Sequence, residues 1–413
     1  MRIFVWHGYL LSGTGSNIYT RQLSREWSRD GHEVTVFSQD PDPARFDLGG
    51  ATTVRPDVHG LLPVFVIDEY AGYTVKRVQD CTRAELDAWV DANAAALREH
   101  GRADLVFANH VLLGGPVGAG SGSRYVVKAH GSELEYSMRG NEELSRWGGE
   151  ALAGAAAVIV GSEHIREVLA EICGTVDRVH TIPPGVDVEL WQPQAREEAL
   201  EALVAEARRD PPNPGNTNER LPDEGNADRL AAFLAGDRAT VVYFGKLIRN
   251  KGVHVLLEAL RGLDARAVIV GFGDYRSELE ELAQGLDVLF TGPLEHRHLV
   301  HLLALADVSA VPSIFPEAFG MVAAESAAAG CPPVVADHSG LASVADGLGE
   351  SYPPALRGLV RFSNGDAEAL RDRLAAILAL GPEDRDAIRV AARRAAVELW
   401  SWRSVARQIA AIV

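Results

Sequence analysis

Two doubly wound α/β units with parallel sheets are predicted for this chain, and three observations predict them. Short β-branched apolar runs alternate with helical segments almost from end to end. The rhythm stops after "VHTIPPG", gives way to a polar stretch, and restarts at "TVVYFGK". The chain has 413 residues, 47% of them apolar, which is enough for two cores of ordinary domain size.

Taken in order, "RIFVW" is the first strand. A Gly-rich turn leads into "SNIYTRQLSREWSRDG", where Tyr19, Leu23 and Trp27 share one helical face and Gly31 supplies a stop. "HEVTVFS", "ADLVFAN", "RYVVKAH", "AAVIVGS" and "VHTIPPG" are the strands that follow. A β-then-α alternation of this kind reads as a parallel sheet covered on both faces. The second series runs through "TVVYFGK", "ARAVIVGFG", "DVLFTGP", "DVSAVPS" and "PPVVADH". Two such units imply a cleft between them, with ligand-binding loops at the C-terminal ends of the strands. The expected division is 1–190 together with 398–413 against 191–397, because "VELWSWRSVARQIAAIV" carries Trp402, Val405, Ile409 and Ile412 on one stripe. That stripe is expected to pack the last helix against the globular body, and on the first unit in the division given. Residues 195–238 read as an insertion whose middle, "DPPNPGNTNERLPDEGN", is an exposed, flexible loop between helical flanks.

Charge and cysteine content exclude several classes. A net charge of −17 and a pI near 5.2 argue against a general nucleic-acid binder and against a polybasic membrane anchor. Cys81, Cys173 and Cys331 are odd in number, far apart and form no CxxC pair, as expected of free thiols in a reducing compartment. His7 and Gly8 interrupt the apolar run of "MRIFVWHGYLL", so it is not a signal peptide, and no run of eighteen apolar residues occurs. A cytoplasmic protein without a transmembrane segment is expected.

Four stretches carry chemistry. In "SGTGSN", Gly13 and Gly15 allow a tight strand-to-helix turn with helix amides facing an anion, although Ile18 stands where a dinucleotide fingerprint wants a third glycine. In "VVYFGKLIRNKG", Lys246 and Lys251 place two ammonium groups at a strand end, which suits a diphosphate. In "PSIFPEAFGMVAAESAAAG", Glu317 precedes a turn at Gly320, and Glu325 lies inside the helix after it, with seven residues between the two. Amides from Phe319 to Val322 would face outward at that helix start and receive a phosphate. The two ionised carboxylates accept from hydroxyl donors, Glu325 from a ribose and Glu317 from a sugar on the other side of the phosphates. In "YVVKAHGSELEY", His130 ends a strand of the first unit. His296, His298 and His301 have near-ligand spacing but read as a solvated loop and helix start, so no metal site is assigned.

Together with "DGHEVTVFS", "VIVGSEHIREVL", "IPPGVDVELWQP" and "VIVGFGD", these stretches resemble family 4 of the retaining glycosyltransferases, which have two Rossmann-like domains in the GT-B arrangement. The resemblance spans almost the whole chain. It implies an acceptor-side first domain and a second domain that holds a nucleotide-sugar donor. It further implies that Glu325 binds ribose, and that Glu317, Ala318, Phe319 and Gly320 hold the transferred sugar. The amides of Met321 and Val322 would meet the diphosphate with Lys246 and Lys251, and Leu294 would meet the base through its backbone. Gly15 would approach the donor phosphate, His130 would touch the sugar, and Asn17 and Tyr19 would contact the acceptor. The family usually has arginine at Lys246, for which Arg249 would compensate, and a Gly-Gly pair at Thr14 and Gly15.

The implied reaction moves a hexosyl group to a hydroxyl with retention, by same-face attack in which the leaving diphosphate takes the acceptor proton. UDP-sugar is the preferred donor and GDP-mannose the next. No cofactor is required, and Mg2+ is optional. "HGLLPVFVIDEYAGYTVKR", with Tyr70, Tyr73 and Lys76, offers one wall for an acceptor that is a small molecule, a glycan or lipid-linked. Three alternatives stay open: a nucleotide-sugar epimerase, a non-catalytic nucleotide-sugar binder, and an NAD-dependent oxidoreductase using "GTGSN".

Overall fold

The computed structural model describes residues 1–13, 15–65, 70 and 72–412. Thr14 and residues 66–69 and 71 of the expected acceptor wall lie outside the described residues. The chain divides into two compact units, Met1–Gly185 with Trp402–Val413, and Val186–Ser401.

In the first unit the strands are β1 (Arg2–Trp6), β2 (Glu33–Phe37), β3 (Thr52–Val54), β4 (Leu61–Val64), β5 (Thr74–Arg77), β6 (Leu105–Asn109), β7 (Tyr125–Lys128), β8 (Ala157–Val160) and β9 (Val179–Thr181). Among the described residues, seven of them form a parallel sheet in the order β3-β2-β1-β6-β7-β8-β9, and β4 and β5 pair separately. Period-two alternation sorts the side chains to two faces. Phe4, Trp6, Val106 and Val127 enter one core, while Ile3, Val5, Phe107 and Val126 enter the other. The second core lies under the helix Gly15–Arg29, which buries Tyr19, Leu23 and Trp27 at the i, i+4, i+8 spacing. The helix Trp402–Ala411 packs beside it through Trp402, Val405, Ala406 and Ile409, and the Trp27 indole N–H donates to Ala406 O at 3.0 Å. This places the last helix on the first unit, through the face that its apolar stripe marks.

In the second unit the strands are β10 (Thr240–Phe244), β11 (Arg266–Val270), β12 (Val288–Phe290), β13 (Val308–Val311), β14 (Pro333–Ala336) and β15 (Arg361–Phe362). They form a parallel sheet in the order β12-β11-β10-β13-β14-β15. The chain leaves β10 to one side and returns on the other at β13, so the switch point, where doubly wound sheets take ligands, lies between these two strands. Strand interiors such as Val241, Val242, Val268 and Ile269 are fully buried, since helices cover both faces.

The stretch expected to be an exposed, flexible loop is largely exposed in its middle, but its flanks are packed and its own polar side chains pin it. Helices Arg196–Ala207 and Asn226–Phe233 flank it, with Leu203 and Leu230 buried in the core of the second unit. Between them the buried Asn213 side chain donates toward the carbonyls of Asn218 (3.0 Å), Leu221 and Pro222, and accepts from Asn218 N–H at 2.9 Å. Asp223 receives both terminal nitrogens of Arg276 at 2.8 and 2.6 Å, and its N–H donates to Thr291 O. A composition rich in Pro, Asn and Gly permits disorder but does not impose it when side chains satisfy the backbone. No helix among the described residues is long and apolar enough to cross a membrane.

Candidate active site

The second unit gathers most of the predicted residues at the ends of β10 and β13. Gly252 has φ +66°, and a Cβ on it would stand 1.9 Å from Pro312 O, so only glycine lets these two strand-end loops touch. Ile314 N–H seals the contact by donating to Asn250 O at 2.9 Å. The closeness delivers Lys251 to Glu317, 66 residues further along the chain, where ammonium and carboxylate pair. Ser313 Oγ donates to the same carboxylate oxygen at 2.8 Å. Both partners are half-buried, which shields the pair from bulk water without hiding it. Lys246 is exposed and forms no ion pair among the described residues. Arg249 is committed elsewhere, to Glu278 at 3.1 Å and to the Tyr275 ring.

Gly320, at φ +128°, caps the helix Met321–Ala328. Ala323 and Ala324 N–H already reach back to Gly320 O, so the amides of Met321 and Val322 are the orphan donors of this helix. They carry the positive end of the helix dipole. Phe319 is buried against Trp400 at 5.9 Å between ring centroids and anchors the turn. Glu325 is half-buried on the helix, where burial pushes its carboxyl up to about 8. Leu294 is buried two residues after Gly292, and the Asp223 end of the packed 210–226 segment lies against Gly292.

Sequence reasoning missed what supports Glu317 from beneath. Its N–H donates to Ser339 Oγ at 2.9 Å, and its carbonyl accepts from Gly340 N–H at 2.9 Å. "ADHSGL" follows β14 and carries no charge pattern that would mark it; the one local signal is a Ser-Gly turn after a strand.

In the first unit, His130 ends β7 among polar groups that sequence reasoning also missed. Glu133 is fully buried and receives three donors: His110 Nδ1 at 2.7 Å, Val111 N–H at 3.1 Å and His130 N–H at 2.8 Å. The recoverable signal is Glu133 three residues after His130, a helix-capping spacing. His130 Nε2 lies 3.0 Å from Asn109 Oδ1, and the Asn109 amide nitrogen is turned to Thr20 Oγ at 3.2 Å. Oδ1 is thus the acceptor, which puts the imidazole proton on Nε2 and makes Nδ1 an acceptor. Burial, then the neighbouring His110, Lys128 and His7, holds His130 well below the usual histidine range. Burial likewise takes Lys128 down to about 7 and His7 to about 3. His7 and His130 are therefore neutral hydrogen-bonding groups at pH 7.

Gly15 opens its helix at an exposed position, with nothing within 4 Å of where a Cβ would stand, so the fold itself leaves room there for close approach. The four residues expected to contact an acceptor are placed differently. Tyr19 is buried, stacked on Phe107 and set edge-on to Trp402, because its helical spacing with Leu23 and Trp27 turns it into the core; this corrects its assignment to the acceptor. Lys76, partly exposed, pairs with Glu85, which closes the capping box of the helix Arg83–Glu99. The Tyr73 hydroxyl donates to Gln39 Oε1 at 2.7 Å and accepts from Arg55 at 2.6 Å. Asn17 is buried and closes its own turn, meeting His7 Nε2 at 2.7 Å and donating to Ser12 O. The three helix histidines part company: His298 faces Asp210 at 3.1 Å, His301 bonds Gln194 at 2.7 Å, and His296 packs edge-on to Trp191.

Comparison with known proteins fits this geometry. Residues 13–190 match the family model described as Glycosyltransferase Family 4, and residues 227–395 match Glycosyl transferases group 1. A D-inositol 3-phosphate glycosyltransferase of Xylanimonas cellulosilytica is 29% identical over 355 residues, covering 80% of this chain and 77% of that protein. A GDP-mannose-dependent alpha-(1-6)-phosphatidylinositol monomannoside mannosyltransferase of Mycolicibacterium smegmatis is 28% identical over 321 residues, covering 73% of each. Among solved structures, Anabaena HepE in complex with UDP superimposes at a TM-score of 0.68 with 19% identity, over 100% of this chain and 99% of that one. The sucrose-phosphate synthase of Thermosynechococcus elongatus does so at 0.64 with 22% identity, over 100% and 98%. These two structures show the GT-B fold.

Proposed function

Because the chain belongs to family 4 of the glycosyltransferases and is an enzyme that uses a nucleotide sugar, we propose that it moves a hexosyl group from a UDP-sugar, with GDP-mannose next, to a hydroxyl with retention. The observation that carries this reading is the turn at Gly320. It presents two orphan amides, with a half-buried Lys251–Glu317 pair before them and Glu325 after them on the helix. A diphosphate on those amides has Lys246 and Lys251 as counter-charges, and Glu325 accepts from ribose hydroxyls. Glu317 accepts from the hydroxyls of the transferred sugar. Leu294 meets the base through its backbone. As the sugar–phosphate bond breaks, negative charge grows on the leaving oxygens, and the ammonium groups and helix amides stabilise it where it develops. The leaving diphosphate takes the acceptor proton on the same face of the sugar. In the first unit, neutral His130 touches the sugar.

No metal is required for the charge balance, since cationic groups and the helix end supply it. The acceptor is an inositol phosphate or a glycosylated inositol lipid, on the strength of the names borne by the two relatives above. The test is a panel of UDP- and GDP-sugars with inositol phosphates as acceptors, read by nucleoside diphosphate release and by the anomeric configuration of the product. Release that depends on an acceptor, with retained configuration and indifference to EDTA, is expected. Interconversion of the sugar nucleotide without an acceptor would favour an epimerase, and tight binding without release a sensor.

A further inference from the structure

We propose that Ser339 and His338 are positioning residues that hold Glu317 in register for the transferred sugar, an inference that rests on the reading of Glu317 given above. The starting observation is a strained backbone. Ser339 has φ +49°, a left-handed conformation that costs a side-chain-bearing residue and that glycine would adopt freely. Strain of this kind persists where surrounding contacts over-determine it, and here the contacts are specific.

They form a chain of hydrogen bonds with one consistent polarity. His338 Nε2 stands 2.7 Å from Ser313 O, and a carbonyl can only accept, so the imidazole proton is on Nε2. In the neutral imidazole Nδ1 is then the acceptor, and Ser339 Oγ, 3.1 Å away, donates to it. The oxygen that donates to His338 also accepts the Glu317 N–H at 2.9 Å. Gly340 N–H closes the arrangement on Glu317 O at 2.9 Å. Gly340 must be glycine for this: a Cβ would fall 2.5 Å from Phe319 N and Cα. At the other end, Ser313 spends its carbonyl on His338 and its hydroxyl on the Glu317 carboxylate. Main chain and side chain of Glu317 are thus both tied to one relay, 313–338–339–317, whose only joints are single hydrogen bonds. A carboxylate that must grip hydroxyls without reorganising is best held in this way.

A second feature confines the relay's link to the phosphate-binding parts to the Lys251–Glu317 pair. None of its bonds involves Met321, Val322 or Lys246. Disturbing it should move the sugar end of the site and leave the nucleotide end in place.

Ser339→Gly is the decisive variant, because it removes the hydroxyl while relieving the strain. The measurements are turnover of whichever of UDP-glucose and GDP-mannose the unaltered chain uses, the Kd of UDP or GDP alone, and the melting temperature. The expected result is a kcat lower by roughly ten- to hundredfold, as sub-ångström misplacement of a substrate-positioning group produces. Kd for the nucleoside diphosphate should stay within about twofold, and Tm within about 3 °C. Ser339→Ala, which keeps the strain and loses the bond, should match the lowered kcat and melt earlier than Ser339→Gly. Unchanged kcat in Ser339→Gly overturns the inference. So does an equal loss of nucleoside diphosphate affinity and turnover, which would mean general loosening. If the unaltered chain turns over neither donor, it is the functional reading that fails, not this one.

Discussion

Both units use the same parallel-sheet plan and collect polar groups at strand C-terminal ends, yet the two collections are physically opposite. In the second unit the groups are charged and half-open: Lys246 is exposed, Lys251 and Glu317 are paired at partial exposure, and two helix amides lack partners among the described residues. In the first unit the corresponding groups are buried: Glu133 receives three donors and desolvation keeps His7 and His130 neutral, while His7 Nδ1, His110 Nε2 and Lys128 Nζ have no hydrogen-bond partner among the described residues. A site that must stabilise a growing negative charge needs fixed positive ends facing the ligand, whereas a site that only orients hydroxyls can use neutral groups locked by the fold. The difference is one of how much charge is left unanswered.

Removing charge from the second unit should therefore have the largest effect. Lys246→Ala and Lys251→Ala are each expected to lower kcat by about two to three orders of magnitude, the loss typical of one preorganised donor at a developing anion. Steady-state kinetics check this, and near-normal rates in both variants would break the contrast between the units. Next in size, Glu133→Ala in the first unit should cost about 3–5 kcal/mol in urea unfolding, since it strands buried amide donors and His110. A loss of activity with unaltered stability would instead make Glu133 part of the chemistry.

A smaller, pH-dependent effect sharpens the comparison. The Glu325 carboxyl is raised from 4.5 to about 8. A raised carboxyl keeps its proton in the folded state after the unfolded chain has lost it, so the free protein should lose stability as pH rises from about 4.5 to 8. Binding of ribose hydroxyls to the ionised form runs the other way, and donor affinity should rise several-fold through pH 8. Isothermal titration across that range checks it, and Glu325→Gln should flatten the profile. The smallest effect is predicted at Tyr19, whose buried hydroxyl has no hydrogen-bond partner among the described residues. Tyr19→Phe should change stability by less than about 1 kcal/mol and leave acceptor KM alone. A raised acceptor KM would return Tyr19 to the acceptor site.

Several features were legible in the sequence for identifiable reasons. Strand and helix periodicity placed both sheets, and the stripe of Trp402, Val405 and Ile409 marked the face that the last helix buries. Gly320 between Glu317 and Glu325 marked the helix start, because the turn, the orphan amides and the carboxylates are consecutive in the chain. Tyr19 was misassigned although its periodicity with Leu23 and Trp27 already pointed to the core. The exposure of residues 210–226 was legible but their pinning by Asn213 and Asp223 was not, because Pro, Asn and Gly look alike in a disordered loop and in an ordered one.

What the sequence by itself determined was thus local: element type, buried faces, and chemistry confined to one turn, all set by side-chain spacing along a few residues. Pairings between distant segments were decided by the tertiary structure alone. Lys251 with Glu317, Asp223 with Arg276, and Ser339 with Glu317 lie 66, 53 and 22 residues apart. Which of many carboxylates meets which ammonium depends on where the sheet order returns each loop, and on the close approaches that Gly252 and Gly340 allow.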